Sequence, residues 1–339
     1  AYLGFRKSVY IPYPQALPRS YLIDPDTCLY FMDKSCNRCK VICPVNAVDF
    51  EQKPSEETIE VGAIVVATGF DEFDPYALSK YGFGRYRDVL TQFQISKLLD
   101  PLGPTGGKLL RPSNEKTPKH IVMVQCVGSR DPETNLYCSQ YCCMGAIKNA
   151  AFIKKRYPSV EIVILFKDIR AAGKGFEEYY VKTREQLGVK FVQGDVTKVY
   201  QDPNQNSISV EYETPSGQKE IVDTELVALS CGMIPSENHS KLAKILGIKV
   251  GSDGFYKELD EKVLPVETEI PGIYICGSSH APKNVSDAII HAYAAAFQAA
   301  LRMTGTIKKA LVVPKVSEEI CSGCGICQQA CPFEAITIE

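Results

Sequence analysis

HIVMVQC (120–126), then YCSQYCCMGAIKNAAFIKKRY (137–157) and VEIVILFK (160–167), decide the fold of this 339-residue chain. The first and last are unbroken apolar runs, the pattern of strands buried on both faces of a parallel sheet. The stretch between them has helical periodicity, so the three form a strand–helix–strand unit. Such units in flavoproteins usually carry Gly-x-Gly-x-x-Gly after the first strand, which seats a dinucleotide pyrophosphate on the helix N-terminus. Here that position reads QCVGSRD and then YCSQYCCMGA, without the glycine fingerprint. In its place stand Cys126, Cys138, Cys142 and Cys143, gathered at one end of the sheet. Cys138 and Cys142 are one turn apart on the expected helix and share a face, while Cys143 reaches the same point only with local distortion.

Working outward, a helix is expected near Gly175–Leu187, with GKGFEEYY (173–180) as its N-terminus and a possible docking surface. The strand VKFVQGDV (189–196) follows. SISVEYE (207–213) and KEIVDTELVALSCG (219–232) read as a hairpin running into a buried strand. Upstream, VGAIVVATGF (61–70) is a short apolar strand closed by Thr68-Gly69, and a helix is expected over Val89–Leu99. Downstream, GIYICG (272–277) is another apolar strand, and the alanine-rich NVSDAIIHAYAAAFQAALRM (284–303) is the helix behind it. The organisation expected is a cysteine-bearing segment 1–56, then 57–118 and 236–312 as two parts of one domain flanking an inserted domain 119–235. Residues 313–339 form a small cysteine tail.

Two further cysteine sets lie at the ends. CSGCGICQQACP (321–332) holds Cys321, Cys324, Cys327 and Cys331 at the C-x2-C-x2-C-x3-C-P spacing that wraps thiolates round a cubane iron–sulfur cluster. A structural zinc site is the alternative, but zinc usually takes two separated C-x2-C hooks. CLYFMDKSCNRCKVICP (28–44) places Cys28, Cys36, Cys39 and Cys43 with the same ending and a longer first spacer, as long-loop ferredoxin halves do. Cys43 and Cys331 each ligate either their own cluster or a neighbouring one. For the central set the alternatives to a cluster are a Cys142–Cys143 disulfide or buried thiols. Cys231 and Cys276, which end buried strands, read as core thiols.

The net charge of −2, with 23% charged residues, leaves no basic stripe for nucleic acid. No apolar run reaches the roughly 18–20 residues of a membrane span, and the N-terminus lacks signal-peptide order. The cysteine spacings favour metal over extracellular disulfides, and hence a reducing, anaerobic cytoplasm. Three sets amount to about three [4Fe-4S] clusters on one chain, an electron-transfer protein.

Flavin is indicated by IVVATGF (64–70), LVALSCGMIPS (226–236) and GIYICGSS (272–279), strand ends of the kind that abut FAD in pyridine-nucleotide disulfide reductases. These put Ala67, Thr68, Gly69, Gly277 and Ser278 beside the cofactor. The helix start at Asp287 and Ala288 aims amides at its pyrimidine ring. Lys148 is either a solvated helix residue or a cation near flavin N5. His280 and His291 are polar neighbours only.

Together RKSVYIPYPQALP (6–18), VGAIVVATGFDEFDP (61–75), GPTGGKLLRPS (103–113), QCVGSRD (125–131), YCSQYCCMGAIKNA (137–150), DIRAAGKGFEEYY (168–180), CGMIPS (231–236) and CGSSHAPKNVSDAI (276–289) resemble the A subunits of heterodisulfide reductases. The resemblance covers nearly the whole chain. It implies an α/β fold: a thioredoxin reductase-like two-domain flavoprotein body, its FAD domain interrupted by a Rossmann-like domain, with ferredoxin-like α+β segments at both ends. It implies a cluster on Cys126, Cys138, Cys142 and Cys143 beside FAD, and Lys148 near flavin N5. It also implies flavin-based electron bifurcation or confurcation with subunits B and C, a hydrogenase or formate dehydrogenase-type donor module and ferredoxin, and a possible homodimer. The family's FAD glycine loop is expected upstream of this chain's first residue, and a second C-terminal ferredoxin half beyond its last. The competing readings are an NAD(P)H-dependent flavoprotein disulfide reductase and a flavin-free iron–sulfur scaffold.

Overall fold

The computed structural model describes residues 6–13, 15–201, 207–305, 316–317, 319–331 and 336. Expectations for Pro14, Pro332 and the boundary at 312/313 lie outside them.

The N-terminal segment pairs β1 (Val9–Tyr10) antiparallel with β2 (Leu22–Ile23), followed by α1 (Leu29–Asp33) and α2 (Arg38–Ile42). Its anchor is aromatic: Tyr30 stacks on the buried Phe50 at 3.8 Å between ring centroids. Beyond it come β3 (Ile64–Val66), β4 (Asp71–Glu72), β5 (Val89–Thr91) and α3 (Gln92–Leu99). The helix expected over Val89–Leu99 thus begins as a strand. Thr91 ends β5 and caps α3, its hydroxyl taking the Gln94 amide while the Gln94 side chain takes the Thr91 amide. That reciprocal capping box fixes the helix start at Gln92, three residues after Val89 begins to pair with the sheet.

The central unit follows its apolar runs, except that VKFVQGDV (189–196) divides at Gly194 into two strands of different sheets. It comprises β6 (His120–Val127), α4 (Cys142–Arg156), β7 (Glu161–Phe166), α5 (Phe176–Glu185) and β8 (Lys190–Gln193). Three antiparallel strands follow, β9 (Asp195–Gln201), β10 (Ile208–Glu213) and β11 (Lys219–Thr224), and then β12 (Leu226–Cys231). A five-stranded parallel sheet forms in the order β5-β12-β6-β7-β8. Side chains alternate along β6, so Ile121 and Met123 pack under α3 and α4 with Ile95, Ala146, Ile147 and Ala150. Val122, Val124 and Val127 turn the other way, against Val196, Val199, Val210 and Tyr212 of the antiparallel sheet. Each such side chain, fully withdrawn from water, contributes roughly 1.5–3 kcal/mol. Both faces of the parallel sheet are covered, which is why its strands read as continuous apolar runs.

The chain then passes through β13 (Met233–Ile234), paired antiparallel with β4, and α6 (His239–Leu246). β14 (Ile273–Ile275) lies parallel to β3, Ile273 opposite Ile64, and α7 (Val285–Met303) packs Ala295 and Ala299 behind it. The outward face of α7 leaves Val285, Ile290, Tyr293 and Phe297 exposed. In the C-terminal segment, α8 (Ile326–Ala330) is the described helix. No described helix is long and apolar enough to cross a membrane.

Candidate functional site

At the C-terminal end of β6 the chain turns sharply. Cys126 has φ +59°, a left-handed conformation at which the pairing with β12 shifts register just before β6 ends, and Gly128 follows at φ +72°. A Cβ on Gly128 would sit 2.2 Å from the Phe73 ring, so only glycine fits there. The helix expected from residue 137 begins at Cys142 instead, and Cys138 lies in the preceding loop. Gln140 adopts φ +61°, which no α-helix accommodates, and the Ser139 hydroxyl is held by the Met233 amide at 2.8 Å. The Cys138–Cys142 alignment therefore comes from this loop rather than from one helical turn.

The result is the convergence that the sequence pattern demanded. Cys126, Cys138, Cys142 and Cys143 line one small cleft together with Arg130 and Arg170. The Cys142 thiol points to the Cys231 carbonyl at 3.7 Å and the Cys143 thiol to the Asp168 carbonyl at 3.9 Å, two directions that do not suit a vicinal disulfide. Burial pushes the thiols of Cys126 and Cys142 up, the latter well above its ordinary range, and that of Cys143 up to about 11. Buried thiols of this kind become anionic ligands when a bound metal supplies the positive charge. Among the described residues, no three Cys, His, Asp or Glu side chains close on a point that would hold one metal ion. A cubane has an iron for each of four thiolates, and four cysteines lining one cleft match that donor set.

The two terminal sets differ in setting. Cys28 precedes α1 and is buried; Cys36, Cys39 and Cys43 are half-buried. The Ala47 amide donates to Cys43 Sγ at 3.2 Å and holds that thiol below its usual range. Cys321, Cys324 and Cys327 are exposed, and the backbone turns round them through Gly323 (φ +68°) and Gly325 (φ +74°). The Ile326 amide lowers the Cys324 thiol in the same way. Such N–H···S contacts are those that cluster thiolates use.

The flavin candidates meet at a second strand end. The Cys276 amide donates to the Val66 carbonyl at 3.1 Å and the Ser279 hydroxyl to the same oxygen at 3.3 Å. Ala67-Thr68-Gly69 and Gly277-Ser278 are thus adjacent loops at the carboxyl ends of two parallel strands, where open α/β sheets bind ligands. Gly277 has φ +65° and faces Ala288 of α7, 4.0 Å from its Cβ position. The amides of Asp287 and Ala288 are already bonded to Asn284, the helix cap. Of the amides at this helix end, these two do not point to a cofactor. Lys148 is exposed on one flank, yet protein crowds the other enough to lower its pKa, and its ammonium reaches Ser96 Oγ at 3.4 Å. Cys231 and Cys276 are buried in the core.

His280 and His291 stack with centroids 4.9 Å apart, His280 bridging Glu258 at 3.0 Å and Lys283 at 2.7 Å. They make a closed polar cluster, more connected than their sequence setting suggested. Several residues near the cleft carried no expectation. Tyr141 donates to the Cys231 carbonyl at 2.7 Å and packs with Phe70 and Phe93 as an aromatic wall. Glu72 lies nearby, its carboxyl pushed up to about 7 by burial. Arg130 sat in the conspicuous QCVGSRD stretch, which was the only signal available for it.

A family model for pyridine nucleotide-disulphide oxidoreductases matches residues 143–299, and one for 4Fe-4S binding domains matches 314–337. The chain is an iron–sulfur flavoprotein of the oxidoreductase class, and its cofactors are FAD and [4Fe-4S] clusters. It is 41% identical over 338 residues to the iron-sulfur A subunit of the CoB–CoM heterodisulfide reductase of Methanocaldococcus jannaschii, covering 99% of this chain and 51% of that protein. It is 43% identical over 340 residues to the A subunit of the H2/formate:CoB-CoM heterodisulfide,ferredoxin reductase of Methanococcus maripaludis, again covering 99% and 51%. Along nearly its whole length this chain is homologous to heterodisulfide reductase A subunits, and it spans about half the length of the curated relatives it matches. Among solved structures, thioredoxin reductase of T. acidophilum matches 72% of this chain and 65% of its own, at 16% identity and a TM-score of 0.45.

Proposed function

We propose that the chain is the electron-transfer core of a heterodisulfide reductase-like complex, with its three cysteine sets as the ligands of three [4Fe-4S] clusters. The observation that carries this reading is the four-cysteine cleft at the β6–α4 turn, the place where a nucleotide pyrophosphate otherwise sits. FAD, when bound, supplies a centre that takes electrons in pairs and releases them singly, which matches it to one-electron clusters. Ala67, Thr68, Gly69, Gly277 and Ser278 line its site, with Asp287 and Ala288 holding the start of α7 in place through Asn284. The segments 1–56, 57–118, 119–235, 236–312 and 313–339 follow as the ferredoxin-like, FAD and Rossmann-like units.

Relatives bear names that join ferredoxin with H2 or formate, which favours bifurcation or confurcation. Ferredoxin, subunits B and C, and a hydrogenase or formate dehydrogenase-type module are the partners this reading requires. The fourteen free cysteines suit a reducing cytoplasm. Purified without oxygen, the chain should hold about twelve iron atoms, roughly four per set, by metal analysis. A preparation that carries zinc alone overturns the reading.

Lys148 faces the flank of α4 nearest Ser96, and as a cation beside the flavin it favours the negative charge that reduction brings. Lys148→Ala should leave the iron content unchanged and lower the flavin midpoint potential by roughly tens of millivolts, the exposed flank screening the full Coulomb value. An unmoved potential in the flavin-loaded protein makes Lys148 a solvated helix residue.

A further inference from the structure

The four-cysteine cleft is also lined by two charged residues, Arg130 and Arg170. Arg130 stands four residues after Cys126, its Nη1 3.9 Å from Cys126 Sγ. The same guanidinium grips Asp168 with both nitrogens, Nη2 lying 2.9 Å from Oδ2. Asp168 in turn offers its carbonyl to the Cys143 thiol at 3.9 Å. A ring of contacts therefore runs from Cys126 through Arg130 and Asp168 to Cys143. Arg170 lines the cleft as well and reaches Asp168 Oδ1 at 3.4 Å.

The arginine is held rather than draped. Its side chain is 20% exposed, against 47% for Asp168 and 50% for Arg170. Its backbone is fixed at φ +57°, with its amide bonded to the Tyr137 carbonyl at 3.1 Å and its carbonyl near Lys167 Nζ at 3.4 Å. A planar fork that is already aligned loses little freedom in making further hydrogen bonds. Salt bridges on a surface contribute little, but this arginine is mostly buried and ends on a sulfur atom.

We propose that Arg130, positioned by Asp168, sets the redox potential of the central cluster site by donating an N–H to the Cys126 thiolate and by offsetting the site's negative charge. The inference rests on the ligand assignment above. Four thiolates outweigh the positive charge of a cubane core, and one-electron reduction adds a further negative charge. Hydrogen bonds to the sulfurs and nearby cations therefore favour the reduced form. The clamp of two arginines and one aspartate carries a net positive charge, so it holds this cluster at a higher potential than bare thiolate ligation gives. Arg130 does not exchange electrons; it is a positioning and tuning residue.

The test is a redox titration of the flavin-loaded, cluster-loaded chain, followed by electron paramagnetic resonance, on the wild type, Arg130→Met and Arg130→Lys. The central signal is identified as the one that Cys142→Ser removes, and iron is counted in each sample. In Arg130→Met the central midpoint should move negative. At the poise where half the wild-type cluster is reduced, the reduced-to-oxidised ratio should fall about tenfold. The two ferredoxin-like signals should not move. Arg130→Lys keeps the charge and loses the fork, so its midpoint should lie between the two, and it carries the test if the methionine variant fails to take up its cluster. A wild-type midpoint in either variant, with the central signal present, overturns the proposal. Absence of any central signal in the wild type overturns the ligand assignment itself.

Discussion

Cys142→Ser should abolish one of three cluster signals and bring iron from about twelve atoms per chain to about eight. Cys142 opens α4 and is 7% exposed, with its thiol toward the Cys231 carbonyl at 3.7 Å. A serine hydroxyl can make the same contact, and the change in volume is small, so the helix and the sheet beneath it should persist. What serine lacks is the soft thiolate that binds iron. The terminal sets lie in other segments of the chain and should keep their signals. Paramagnetic resonance of the reduced protein and iron analysis measure both halves of the expectation. Three unaltered signals in the variant would remove Cys142 from the ligand set.

A second large effect is expected far from the cysteines. Asp88, at the entrance to β5, accepts from Arg111 Nε at 3.1 Å and Nη2 at 2.8 Å, and from Ser113 N at 3.0 Å and Oγ at 2.6 Å. Both charged side chains are 3% exposed. Asp88→Ala takes the carboxylate away from a cation that stays in the interior, where Glu225 at 3.7 Å is a more distant substitute. Breaking a buried pair from one side costs about 3–5 kcal/mol. Chemical denaturation of the loaded protein should show a correspondingly lower midpoint, and Asp88→Asn, which keeps part of the hydrogen bonding, a smaller drop. An alanine variant as stable as the wild type would mean that the pair adds nothing beyond the residues around it.

The parallel sheet was legible because its strands are buried on both faces, and unbroken runs such as VEIVILF have few other uses. The gathering of four cysteines at the end of β6 was legible for the same reason: strand, turn and helix leave only one place for that loop. The start of α4 was not. Periodicity extends back to Tyr137, but the left-handed Gln140 and the Ser139–Met233 bond depend on β13, nearly a hundred residues later in the chain. β5 was read as helix because three apolar-to-polar residues before a helix look like its first turn. Its pairing with β12 is a tertiary choice that local pattern does not encode. The Arg130–Asp168 clamp was hidden for a related reason, since 38 residues separate partners that the sheet brings together.

The bonds that tie the two proposed cofactor sites have a mechanical meaning. Tyr141 and Tyr137 fasten the cluster loop to the Cys231 and Met233 carbonyls, and Met233 begins the strand that pairs with β4, two residues beyond Gly69. The two proposed sites are thus joined by a short bonded bridge. Tunnelling depends steeply on distance, so with cofactors in the proposed sites a stiff bridge keeps the hop between them constant. In the function proposed above, control over when electrons move falls to the terminal cysteine segments, as a fixed-length wire leaves switching to its contacts.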